Sequence, residues 1–300
     1  MPAYPVSVTA VFSDNFGTHL AGHSISLDGD IAVNFYMHID PEITSHEGVV
    51  MQFCVPDTST EYQYQEIEVS DNIKVGNYYV FKCRVAAKNM DSVISAQLVD
   101  NENNKSVVYT YSVMEYADYL LEHVNANGTM EQKAYAKAAP LVRAMLNYGA
   151  YAQNYFGTDA TLSDIETAIP EKTYTVTGIE ETLFDGATLS LKSQTTLSLY
   201  FKSATPITLS MDGKTEGVDY ELAHKGKEYT IRIRNISASE LNDDFTVTVT
   251  SNGQSGTVTY SPMTYCYRAQ NSGDAKLDNT VKALYRYWLE ADKYFNQGGN

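Results

Sequence analysis

The chain has one tryptophan and three cysteines in 300 residues, and its cations are scarce: 21 Lys and Arg stand against 37 Asp and Glu, a formal charge of −16. Each shortage excludes something. An acidic field of that size repels phosphate backbones and anionic lipid, so neither nucleic acid nor a membrane surface is an expected partner. No stretch approaches the roughly 18 uninterrupted apolar residues of a spanning helix, so no membrane insertion is expected. Cys54, Cys83 and Cys266 form an odd set without CxxC spacing or a nearby His pair, which sets aside a disulfide framework and a zinc site. The opening Met1-Pro2-Ala3-Tyr4-Pro5 has no basic segment leading into an apolar core, so any secretion signal is expected outside this chain.

Catalytic signatures are missing as well. There is no Gly-x-Ser-x-Gly elbow, no phosphate-cradling glycine loop and no His-Glu-x-x-His; His46-Glu47 runs into Gly48-Val49-Val50. His19 and His23 sit four apart in what reads as a glycine-containing loop, which favours solvated side chains over metal ligands. Asp28-Gly29-Asp30 reads as a hairpin turn, since it lacks the alternating oxygen ligands of a calcium loop. Nothing singles out a glycosidase pair among the acids. The expectation is a chain that is not an enzyme, with no catalytic residues, metal or cofactor.

What the chain does contain is itself, twice. Val142-Arg143-Ala144-Met145-Leu146-Asn147-Tyr148 aligns with Val281-Lys282-Ala283-Leu284-Tyr285-Arg286-Tyr287, and Thr110-Tyr111-Ser112-Val113-Met114-Glu115-Tyr116 with Thr259-Tyr260-Ser261-Pro262-Met263-Thr264-Tyr265. Val33-Asn34-Phe35-Tyr36 matches Leu197-Ser198-Leu199-Tyr200, and Tyr79 to Arg84 matches Tyr229 to Arg234, in the same order. Each half opens with short runs alternating apolar and polar residues between turn signals, the mark of half-buried strands. The first half's strands are expected near 4–12, 24–28, 31–40, 49–55, 64–70, 78–87, 92–100 and 106–111. The period then changes to 3.6, announced by Ser112 with Glu115 and by Ser261-Pro262 as helix caps. A short helix and a long one follow in each half, ending at Phe156 and Phe295, with Pro140 expected to kink or restart the first long helix. The fold class is mostly β with α, in two tandem lobes, each an antiparallel β-sandwich followed by a small helix cluster. The lobes are read as residues 1–157 and 172–300, with 158–171 as linker.

The repeat also weighs single residues. Cys83 corresponds to Ile233 and Cys266 to Ala117, so both read as buried, unreactive thiols. Tyrosine is the conspicuous surplus: its 24 copies exceed Lys and Arg combined. A tyrosine offers a flat face for the C–H side of a sugar ring and a hydroxyl to bond it. Aromatics recurring in both halves read as scaffold, while unpaired ones are the better ligand candidates: Tyr119, Tyr135, Tyr151, Tyr267, Tyr285 and Trp288, with Tyr62 and Tyr64. Trp288 also fits the apolar stripe of its helix, so burial and stacking both stay open for it. Asn127, Gln270 and Asn271, in the loops after Tyr119 and Tyr267, add amides able to bond hydroxyls or simply to form turns.

The segment Ala144-Met145-Leu146-Asn147-Tyr148-Gly149-Ala150-Tyr151-Ala152-Gln153, with Val33-Asn34-Phe35-Tyr36, resembles a repeat of large secreted surface proteins of gut Gram-positive bacteria. The doubled order of sandwich then helices is similar to the starch-adherence proteins of the amylosome, a starch-degrading surface complex. That resemblance implies an extracellular or cell-surface protein that binds starch-type α-glucan and maltooligosaccharides without cleaving them. The glucan would lie in a groove between sandwich and helices or where the lobes meet, with any larger surface complex engaged through regions outside this chain. The alternative is a structural or adhesive spacer with no sugar ligand.

Overall fold

The computed structural model describes residues 16–27, 31–56, 62–157, 160–191 and 195–296. The strand expected near 4–12 and the Asp28-Gly29-Asp30 turn lie outside the described residues. The chain divides into two compact units, and the dividing line falls after Gly149. In the first, the strands are β1 (Thr18–Ser26), β2 (Ala32–Ile39), β3 (Val50–Pro56), β4 (Tyr62–Glu68), β5 (Lys74–Val75), β6 (Tyr78–Arg84), β7 (Ile94–Val99) and β8 (Tyr109–Tyr111), with a one-turn helix α1 (Pro41–Thr44). They form two antiparallel sheets, ordered β1-β2-β6-β5 and β4-β3-β7-β8. Alternation puts Val33, Phe35 and Met37 of β2 and Met51, Phe53 and Val55 of β3 inside, and the Phe35 and Phe53 rings meet at 5.4 Å. Helices α2 (Val113–Glu122) and α3 (Met130–Phe156) follow, and the dividing line falls within α3.

The second unit repeats the plan with β9 (Thr175–Thr177), β10 (Phe184–Leu191), β11 (Thr195–Lys202), β12 (Ile207–Ser210), β13 (Tyr220–Lys225), β14 (Glu228–Ile233), β15 (Phe245–Ser251) and β16 (Gln254–Tyr260), then α4 (Pro262–Ala269) and α5 (Ala275–Phe295). Its sheets are ordered β10-β11-β14-β13 and β12-β15-β16-β9. The repeat extends to register. Val33 faces Cys83 where Leu197 faces Ile233, and a bulge beside Gly22 opposite Tyr36 recurs beside Gly186 opposite Tyr200. Even the bond across that bulge is kept: the Tyr36 hydroxyl meets Ser24 Oγ at 3.0 Å, and the Tyr200 hydroxyl meets Thr188 Oγ1 at 3.0 Å. The sheets differ at their edges, since β4 pairs with β3 in the first unit whereas β9 is added beyond β16 in the second.

The helix starts follow their caps. Ser112 Oγ accepts from the Glu115 amide and Ser261 Oγ from the Thr264 amide, each at 3.0 Å. α3 continues as one helix through Pro140 and does not restart there; Pro140 is exposed, so the carbonyl that loses its amide partner can bond water instead. Phe156 shares the stripe of the buried Val142, Met145 and Ala152, yet as the helix's last residue it is 46% exposed.

Cys83 and Cys266 are fully buried, and burial pushes both thiols up to about 12; Cys54 is half-buried, and all three are free. Native protein treated with a thiol alkylator should therefore label at Cys54 alone, and at three sites once denatured, by mass spectrometry. A second fast-labelling cysteine would contradict this.

Candidate functional site

In the first unit, α2 ends next to a loop that leads into α3, and three of the residues anticipated from sequence meet there. Tyr119 is 37% exposed, stacks on His123 one turn later at a centroid distance of 4.1 Å, and is met edge-on by Tyr135 at 6.2 Å. His123 is held in place by its Nδ1, which lies 2.7 Å from the Tyr119 carbonyl. Tyr135 is buried and donates its hydroxyl to Glu131 Oε1 at 2.6 Å; burial first, and this bond second, drive its phenol above the ordinary tyrosine range. The ledge is thus braced from beneath and carries a carboxylate at its side.

The connecting loop is built from polar bonds. The Asn127 amide donates to Asn125 Oδ1 at 3.0 Å, while Thr129 and Gln132 cap each other across the start of α3. The turn is tight: a Cβ at Gly128 would fall 2.0 Å from Gln132 Oε1, so a side chain there would have to displace the Gln132 cap. Asn125 and Asn127 stay exposed. His123 and Glu131 escaped the reading of the sequence, although each stands four residues from its ring partner, Tyr119 or Tyr135, and that helical spacing was the available signal.

Of the other anticipated residues, Tyr62 and Tyr64 lie on β4 of the first unit, where Tyr64 is 74% exposed, and the rest lie in the second unit and do other things. The stretch expected as a linker is an extended strap bound to the helices: Ile165 and Ile169 are buried, the Ile165 amide donates to Asn279 Oδ1 at 2.7 Å, and Arg286 Nη2 donates to Thr167 Oγ1 at 2.7 Å. Chain outside a sheet ladder must satisfy its buried amides and carbonyls some other way, and here side chains do it. That requirement corrects two candidates. Both ends of the Gln270 amide bond Ile169, accepting from its N–H at 2.8 Å and donating to its carbonyl at 3.0 Å, and Gln270 is only 5% exposed. Tyr151 is 9% exposed and donates its hydroxyl to the Ser163 carbonyl at 2.5 Å. A cleft of about 240 Å³ lies beside it, lined by Asn154, Asp164 and Asn279 among others, and Asn154 and Asn279 are themselves bonded to the strap.

Tyr285 and Trp288 are half-buried on α5 and stack on each other at 5.6 Å, with the indole N–H buried and unpaired. Tyr267 is half-buried on α4, and Asn271 is exposed in the loop after it. The histidines are a further correction. His19 and His23 belong to strand β1, not to a loop; His19 stacks on His38 at 4.6 Å, and His23 lies flat against Tyr111 at 3.8 Å. Among the described residues no three His, Cys, Asp or Glu side chains are grouped to hold a metal ion, and no helix is long and apolar enough to cross a membrane.

No protein-family model matches this chain, and no curated protein matches it.

Proposed function

We propose that this is a non-catalytic carbohydrate-binding protein, that its ligand is a neutral α-glucan of the starch type, and that it works outside the cell at a bacterial surface. The observation that carries the reading is the Tyr119 ledge: an exposed ring, braced by His123 and Tyr135, with the Glu131 carboxylate and the exposed Asn125 and Asn127 amides along the same turn. A rigid ring face removes water from the apolar side of a pyranose, and the polar groups beside it can bond its hydroxyls. The charge of −16 favours a neutral glycan over an acidic one. Starch as the particular glycan rests on the resemblance of the helical repeat.

Calorimetry with maltoheptaose, amylopectin, cellulose and xylan fragments tests the reading. Heat is expected with the two α-glucans, and Tyr119→Ala should cost about 1 to 3 kcal/mol of binding while leaving Tm nearly unchanged. Silence toward both α-glucans would sink the proposal. The second reading, a structural spacer, draws on the second unit, where Tyr151 and Gln270 serve the strap.

A further inference from the structure

Resting on the carbohydrate reading above, we propose that the chain carries one glycan site, in the first unit, and that the corresponding surface of the second unit is closed. The repeat makes the comparison residue by residue. Tyr111 pairs with Ile94 where Tyr260 pairs with Phe245, and the Met114 amide bonds the Met90 carbonyl at 3.0 Å where the Met263 amide bonds the Leu241 carbonyl at 2.9 Å. With the Ser112 and Ser261 caps, these contacts fix the alignment of α2 on α4.

Each ring of the ledge then has a counterpart already spent on structure. Arg268 stands where Tyr119 does, and its guanidinium lies over the Tyr174 ring at 5.5 Å, with Tyr174 itself stacked on Tyr260 at 5.8 Å. Ser272 replaces His123 and bonds Asp278 Oδ1 through both its amide, at 3.1 Å, and its hydroxyl, at 2.8 Å. Asp274 replaces Tyr135 and caps α5, accepting from the Lys276 and Leu277 amides at 3.0 and 3.2 Å. The physical origin of the difference is helix length. α3 begins at Met130, so Tyr135 lies inside the helix and can brace Tyr119, whereas α5 begins at Ala275, which turns the matching position into a cap. The Tyr285–Trp288 pair is the weaker platform, because both rings are half-buried where Tyr119 is exposed, and the indole N–H is buried.

With one such ledge among the described residues no avidity within the chain is expected, so each protein molecule should bind maltoheptaose and soluble amylopectin segments with similar site affinity. The experiment is titration of the full chain with maltoheptaose, for the native sequence and for Tyr119→Ala, Tyr119→Phe, Tyr267→Ala and Tyr285→Ala. Expected are one site per chain, at least a tenfold loss for Tyr119→Ala at unchanged Tm, near-native binding for Tyr119→Phe, and native binding for the other two. Two sites per chain, or binding that survives Tyr119→Ala and is lost with Tyr267→Ala or Tyr285→Ala, would overturn the single site and leave the carbohydrate reading standing. Silence toward maltoheptaose and amylopectin overturns that reading and the single site with it.

Discussion

Lowering the pH from about 6.5 to about 4 is expected to cost the fold about 3 kcal/mol through His23 alone. His23 lies on β1 with its ring parallel to Tyr111 of the facing sheet at 3.8 Å and edge-on to Phe35 at 4.9 Å, and its Nε2 is buried without a partner. Burial lowers its pKa from 6.5 to about 4. The sign follows from which state takes the proton. Between those two values the unfolded chain protonates the imidazole and the folded chain does not, so acid favours unfolding; above pH 6.5 both states are neutral and the effect is gone. Asp100 works in a different window. Its carboxylate accepts from Asn104 and Glu102, which holds its pKa below the ordinary value, so its contribution is lost only at still lower pH. Urea melts at pH 4.5 and pH 7 should therefore differ strongly for the native protein and much less for His23→Phe, which keeps a ring against Tyr111. Equal pH dependence in the two proteins would show that His23 is not the acid-sensitive group.

Gly256→Ala is expected to destabilise the second unit by about 3 kcal/mol or more, the upper range for forcing atoms into packed space. A Cβ on Gly256 would fall 2.2 Å from the Thr177 carbonyl oxygen, 2.6 Å from the Gly178 carbonyl carbon and 2.7 Å from the Ile179 amide. All three are backbone, so no side chain can swing aside. The chain must move, and what moves is β9, which is held to β16 through Val176↔Val258 and its neighbours. Tyr174 precedes β9 and stacks on Tyr260, so its displacement would disturb that aromatic contact as well. A Tm lower by roughly 10 °C is the expected result in thermal unfolding followed by circular dichroism. An unchanged Tm would mean that β9 contributes nothing to the unit's stability.

Features governed by near neighbours in the chain were legible from the residues. Within the described residues the period-2 runs became strands, Ser112 and Ser261 became caps, and matching segments took matching registers, so that the apolar repeat partners of Cys83 and Cys266 correctly marked both thiols as buried. Strand alternation, helix capping and repeat equivalence are written in spacings of a few residues, which one sequence displays. The strap, the ring stack on His23 and the need for glycine at position 256 depend on atoms brought together from distant parts of the chain. Ile169 and Gln270 are 101 residues apart, and nothing in the Thr- and Asp-rich composition of 158–171 announces that its amides will be satisfied by α5 and by the residue closing α4. Tyr119 and Gln270 were equal candidates by residue type and position beside a loop. Only tertiary packing separated them, because a polar group buried away from water must take whatever partner lies within reach, and that partner consumed Gln270 while leaving the Tyr119 ring in solvent.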